Sequence, residues 1–107
     1  MNEDQIQKAA VSCVTKLWPG IGIRELRSHC REMGQVWPRW VFVHLLMREA
    51  GLSRRIVIDL LNWRSGGTLV SALKALDRDC AQNRKRAQQL ADAVALFRQL
   101  LQKRGAA

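Results

Sequence analysis

Apolar residues recur three or four positions apart in one segment after another, and no stretch alternates with the period of two that a half-buried strand needs. That pattern commits the chain to an all-α fold, and the breakers between segments divide it into a compact bundle of five to six helices. Ile6, Ala9, Ala10, Cys13, Val14 and Leu17 form the apolar face of a first helix, stopped by Trp18-Pro19-Gly20. A short second helix is expected from Ile23 to Cys30, with Ile23 and Leu26 set among Arg24, Arg27 and Arg31, and it ends before Gly34. Trp37-Pro38 is expected to open the third helix, because proline suits a first turn; Val41, Phe42, Leu45 and Leu46 then make a broad apolar face.

Gly51-Leu52-Ser53 reads as a tight turn, with Gly51 closing one helix and Ser53 capping the next. That next helix carries Ile56, Val57, Leu60 and Leu61 and is expected to end around Asn62. Trp63-Arg64-Ser65-Gly66-Gly67 supplies a polar turn before Leu69, Leu73, Leu76 and Cys80 resume a helical stripe. A last helix starts at Arg84-Lys85-Arg86, with Ala87, Leu90, Ala91, Val94, Phe97 and Leu101 on one face. There is no repeat and no low-complexity linker, so residues 1–107 are read as a single helical domain, long enough to close a core without metal or disulfide staples.

The charge balance narrows the partner. A net charge of +9 on 107 residues and a pI near 10.8 favour an acidic partner, and nucleic acid is the commonest. The 48% hydrophobic content excludes a disordered basic tail. Cys13, Cys30 and Cys80 are odd in number, widely spaced and without His or Cys at metal-ligand spacing, so they read as reduced fillers and no metal is expected. Polar residues follow Met1 and no apolar run spans a bilayer; a cytoplasmic, nucleoid-associated protein is expected, with no membrane partner.

Nothing in the chain assembles a catalytic site. His29 and His44 have no nucleophile or carboxylate pair at useful spacing, and His44 sits on an apolar helix as a packed or boundary residue. Gly66-Gly67 lacks the lysine of a phosphate-binding loop. The expectation is a protein that is not an enzyme, with no cofactor and no small-molecule substrate.

Helix, Gly-containing turn and helix, in that order from Ser53 to Cys80, is the layout of a helix-turn-helix. Arg64, Ser65, Gly66, Gly67 and Thr68 would present backbone N–H groups, a cation and a hydroxyl at a helix N-terminus, where a phosphate is favoured. From spacing alone, an ordinary Gly-Gly linker capped by Thr68 is an equal alternative. Thr68, Ser71, Lys74 and Ala75 face outward when Leu69, Leu73 and Leu76 face the core, which leaves polar groups for phosphates and base edges. A rival register makes Ser53 to Leu61 the recognition helix, but Ile56, Val57, Ile58, Leu60 and Leu61 wrap that helix in apolar residues and mark it for the interior. Arg54 and Arg55 at its start add to the basic surface. Trp63, one of four tryptophans, is expected to buttress the loop after it.

With those residues in place, the chain from about Val11 to Leu101 resembles the C-terminal DNA-binding domain of the bacterial replication initiator DnaA, a Trp-repressor-like helix-turn-helix. The likeness rests on Glu25-Leu26, Arg31, Pro38-Arg39, Leu52-Ser53, Arg64, Thr68 and Ala72, which run in register without a gap. The resemblance implies that Arg31 enters the minor groove and that Arg64 to Thr68 read the major groove. The chain departs from the family's Arg-Asp-His and its following pair of hydroxyl residues, carrying Arg64-Ser65-Gly66-Gly67-Thr68 instead. Glycines donate no side-chain hydrogen bonds to base edges, whereas Arg64 and a helix N-terminus still hold phosphates, so the implied affinity outlasts the implied specificity. The initiator's ATPase module has no counterpart in these residues, which implies a stand-alone relative, a fragment or a regulator.

The function expected is double-stranded DNA binding in replication control or transcription regulation, through Arg31, Arg54, Arg55, Arg64, Ser65, Gly66, Gly67, Thr68, Ser71 and Lys74, with a replication or regulatory protein as a further partner. The alternative is a protein-interaction adaptor that keeps the fold without sequence-specific DNA binding.

Overall fold

A computed structural model describes residues 2–28, 32–63 and 66–105, and among them all regular structure is helical. Helix α1, Glu3–Leu17, starts at a reciprocal cap: the Asn2 side chain accepts from the Gln5 N–H at 2.9 Å and the Gln5 side chain accepts from the Asn2 N–H at 3.3 Å. Glu3 and Asp4 in the first turn complement the helix dipole. The helix ends at Trp18, and the Thr15 hydroxyl donates to the Ile21 carbonyl at 2.7 Å, fixing how the chain turns away.

Helix α2, Ile23–Arg27, is held at its start by the Glu25 carboxylate, which accepts from the Gly22 N–H at 2.9 Å. It stops at an extended Ser28, short of the expected Cys30. Helix α3, Met33–His44, begins earlier than expected, so Gly34 lies inside it and Pro38 falls in its second turn. The Glu32 carbonyl accepts from both Gln35 and Val36 at 2.9 Å and nucleates the helix ahead of the proline. Pro38 removes the bond that the Gly34 carbonyl would receive, a cost of about 3 kcal/mol in a helix interior. Burial of Trp37, Val41 and Phe42 outweighs it, at roughly 1.5–3 kcal/mol for each such side chain.

The end of α3 widens into a π-helical turn, Leu45–Glu49, in which the Ala50 N–H donates to the Leu45 carbonyl at 2.9 Å. Gly51 follows at φ +74°, and the Leu52 N–H returns to the Leu46 carbonyl at 3.0 Å. Ser53 then caps α4, Arg54–Leu61, accepting from the Ile56 N–H at 3.4 Å. Asn62 ends α4 in the left-handed region at φ 57°.

Helix α5, Gly66–Gln82, takes in Gly66 and Gly67, which the sequence assigned to the preceding turn. The first N–H groups of a helix have no internal partner, so poor helix formers are tolerated there once Leu69, Ala72 and Leu76 are anchored in the core. Helix α6, Arg84–Gly105, is capped by Asn83, whose carboxamide oxygen accepts from the Lys85 and Arg86 N–H groups at 2.9 and 3.3 Å. Its buried centre is Ala93 and Phe97; Ala87 and Ala91, expected on the buried face, are exposed because the inward stripe is centred two positions further along.

Small residues let α1 and α6 approach closely: Ala9, Ala10, Cys13 and Ala93 are all fully buried, and the Cys13 thiol donates to the Ala93 carbonyl at 3.2 Å. Helix α3 runs through the middle, packed on α1, α2 and α5, while α5 also packs on α4 and α6.

Candidate nucleic-acid interface

The segment α4, turn, α5 is built around a half-turn at Asn62 and Trp63. The Trp63 N–H donates to the Ile58 carbonyl at 3.0 Å, closing α4, and its side chain enters the core. Arg27 secures the same end from α2, donating from Nε to the Leu60 carbonyl at 2.7 Å, where a cation also suits the negative end of the α4 dipole. Helix α5 packs on α3 and α4, and α2 is tied to the end of α4 that precedes it.

Along α5 the 3.6-residue period separates two faces. Leu69 and Leu76 are fully buried and Leu73 is half-buried. Thr68, Ser71 and Lys74 are exposed, as their spacing predicts, and Ala75 is half-buried. Arg78 is exposed too, four positions beyond Lys74 and seven beyond Ser71, which places it on the same outward face. Sequence reasoning passed over Arg78, although the Ser71, Lys74, Arg78 spacing carries the signal. Asp77, on the flank of that face, is held by Arg48 in a two-pronged pair at 2.7 and 2.9 Å, which keeps its carboxyl below the usual range. Its negative charge is thereby compensated at the edge of a basic surface.

Arg54 and Arg55 are exposed in the first turn of α4. They sit at the end of α4 opposite its turn into α5, about 11 Å away at 1.5 Å per residue, and are not gathered with Thr68 and Ser71. Arg31, Arg64 and Ser65 lie outside the described residues. For Gly66 and Gly67 the backbone is described, and it is helical.

Thr68 and Ser71 form one wall of a cleft of about 390 Å3 whose other wall comes from Ser28, Arg39 and Trp40, with Trp63, Ala72 and Ala75 between them. Arg39 is 8% exposed. It donates from Nε to the Leu26 carbonyl at 3.2 Å and from Nη2 to the Glu25 carbonyl at 3.4 Å, closing the C-terminal end of α2. Reading Trp37-Pro38 as the helix opening concealed this, since Arg39 lies inside α3 and its guanidinium reaches another helix.

The other candidates are structural in their surroundings. His44 is packed at the π-helical turn with Nε2 3.8 Å from Glu49, and burial, reinforced by Arg48, holds its pKa below 6.5. Glu49 is engaged by Arg98 at 2.8 Å. Cys13 is buried and Cys80 half-buried, both as free thiols. Among the described residues no cluster of His, Cys, Asp and Glu could hold a metal ion, and no helix is long and apolar enough to cross a membrane. No protein-family model, curated protein or solved structure matches the chain.

Proposed function

We infer that the chain binds double-stranded DNA, with α4 and α5 as a helix-turn-helix and α5 as the helix presented to the groove. The observation that carries this is the division of α5: Leu69, Ala72 and Leu76 lock one face into the core, while Thr68, Ser71, Lys74 and Arg78 line the outward face of a chain with net charge +9. Hydroxyls and cations at that spacing suit phosphate oxygens and base edges. Arg64, immediately before α5, and Arg31, after α2, extend the proposed contact surface, the first toward the major groove and the second toward the minor groove. The proposed setting is replication control or transcription regulation at the nucleoid. The resemblance to the DnaA C-terminal domain supports the same assignment and adds a replication or regulatory protein as a second partner. The role is binding rather than catalysis.

An adaptor without DNA would draw on the tryptophans as docking residues, yet Trp37 and Trp63 are 2% and 9% exposed and are spent in the core. Leu17 is the one large apolar side chain exposed among the described residues.

Titration of a labelled duplex across a range of salt concentrations tests the proposal. Each phosphate contact adds about 0.9 to the slope of log affinity against log salt, so Lys74→Ala and Arg78→Ala should each reduce the slope by about one. Arg64→Ala should weaken binding at every salt concentration. Duplex binding no stronger than that of an unrelated protein of equal charge, and indifferent to all three changes, would sink the assignment.

A further inference from the structure

The first turn of α6 gathers cations that no carboxylate neutralises. Arg84, Lys85 and Arg86 are consecutive, the turn holds no acidic residue, and among the described residues none of the three forms an ion pair. Like charges at the positive end of a helix oppose its dipole. The backbone there is already satisfied, because the Asn83 side chain accepts from the Lys85 and Arg86 N–H groups. Side-chain charge is what the turn has to offer. Arg86 lies over the Trp37 ring, its guanidinium carbon 4.5 Å from the centroid, which holds the planar fork in place before any partner arrives.

These cations border a groove. Lys85 and Arg86 line a cleft of about 390 Å3 together with Gly34 and Pro38 of α3 and Trp18 at the end of α1. Gly34 is exposed, and a β-carbon built there would meet no atom within 4 Å, so the cleft is open along α3. Trp18 and Gln89 also line a smaller hollow of about 70 Å3 beside Leu17 and Asp92, which makes the two continuous. Leu17, 36% exposed, is the large apolar side chain that the core leaves outside among the described residues. The groove is therefore cationic at the start of α6 and apolar at Leu17 and Trp18. Asp92, which accepts from Gln88 at 2.8 Å, repels a carboxylate from the apolar end.

We propose that this groove binds an acidic peptide segment of a partner protein, a run of Asp and Glu followed by bulky apolar residues. Its carboxylates pair with Lys85 and, two-pronged, with the pinned fork of Arg86. Its apolar residues cover Leu17 and Trp18. A DNA duplex would bring phosphates to the cations but no apolar side chain to Leu17, whereas the peptide matches both ends. The groove adjoins the far end of α5, about 21 Å along the axis from Thr68 at 1.5 Å per residue, so a bound peptide leaves the proposed DNA face free. It is a surface for the protein partner proposed with DNA binding, and it stands without the DNA assignment.

Fluorescence anisotropy of a labelled peptide, Asp-Glu-Asp-Glu-Gly-Leu-Phe, titrated with the full chain tests this. Saturable binding is expected, weakened about tenfold or more when Asn and Gln replace the acids and likewise when Ser replaces Leu and Phe. Lys85→Glu places an acid where the helix dipole favours one, and Gly34→Phe replaces a poor helix former, so both variants fold. Each should weaken the peptide by about tenfold, with Lys103→Glu, at the other end of α6, close to wild type. No saturable binding overturns the proposal, as does equal binding of either altered peptide or an equal loss in Lys103→Glu. A duplex titration separates the remaining possibility: a salt slope reduced by about one in Lys85→Glu, with no saturable peptide binding, assigns the cations to nucleic acid and overturns the peptide site alone.

Discussion

Arg39 and Cys13 show what single residues contribute that spacing does not announce. Arginine is the residue that closes α2 because its planar fork reaches two carbonyls at once, whereas a lysine ammonium on a flexible stem reaches them poorly. Arg39→Lys is therefore expected to lower stability by about 2 kcal/mol, little better than Arg39→Met, in urea unfolding; wild-type stability in the lysine variant would contradict this. Cys13 was legible as a filler and its burial follows from the stripe it shares with Ala9, Ala10 and Val14. Burial disfavours its thiolate and pushes its pKa from 9.0 up to about 11, partly offset by a backbone hydrogen bond from Phe97 and the charge of Lys16. The unfolded thiol loses its proton first as pH rises, so the stability this residue contributes is intact below pH 9 and is lost through about pH 11. Urea midpoints of the wild type and Cys13→Ala should converge over that interval, and a constant difference would show that the thiol does not titrate in this way.

At the scale of elements, the connections divide into those whose chemistry is local and those set by packing. Gly51-Leu52-Ser53 was legible because each residue acts on its own backbone: Gly51 takes φ +74° and Ser53 caps α4. Gly51→Ala has no atom within 4 Å to collide with, so its cost is conformational alone, about 1 kcal/mol. Ser53→Ala loses a cap worth about 1 kcal/mol. Chemical denaturation of both variants checks this, and an unchanged midpoint in either would show that the turn is fixed by tertiary contacts instead. The α3 start and the π-helical turn were not legible, since both depend on which side chains α1 and α5 accept. Trp37 and Val41 extend α3 backward past a proline that local rules place at the first turn, and the extra residue in Leu45–Glu49 keeps Leu45 and Leu46 both buried. The glycines at 66 and 67 were misplaced for the converse reason, because Leu69 and Leu76 anchor a helix whose first turn has weak propensity of its own.

In the whole molecule, the 3.6-residue stripe was enough to specify an all-helical bundle and to sort α5 into buried and outward residues. Thr68, Ser71 and Lys74 were legible for that reason. The cleft was not, because Ser28, Arg39, Trp63 and Ser71 come from four places in the chain and are joined by the packing of α2 on α3 and of α3 on α5. The segregation of charge follows from the same packing: Lys74 and Arg78 point outward, while the acidic Asp77 and Glu49 are each engaged by an arginine from another element. Mapping the backbone NMR signals of the chain during titration with a short duplex tests the central claim most directly. Perturbations concentrated at the first residues of α5 and along Thr68, Ser71, Lys74 and Arg78, with α1 and the outer face of α6 unaffected, are the predicted result. Saturable perturbations centred on α1 and α6, or none at near-physiological salt and at low salt alike, would contradict it.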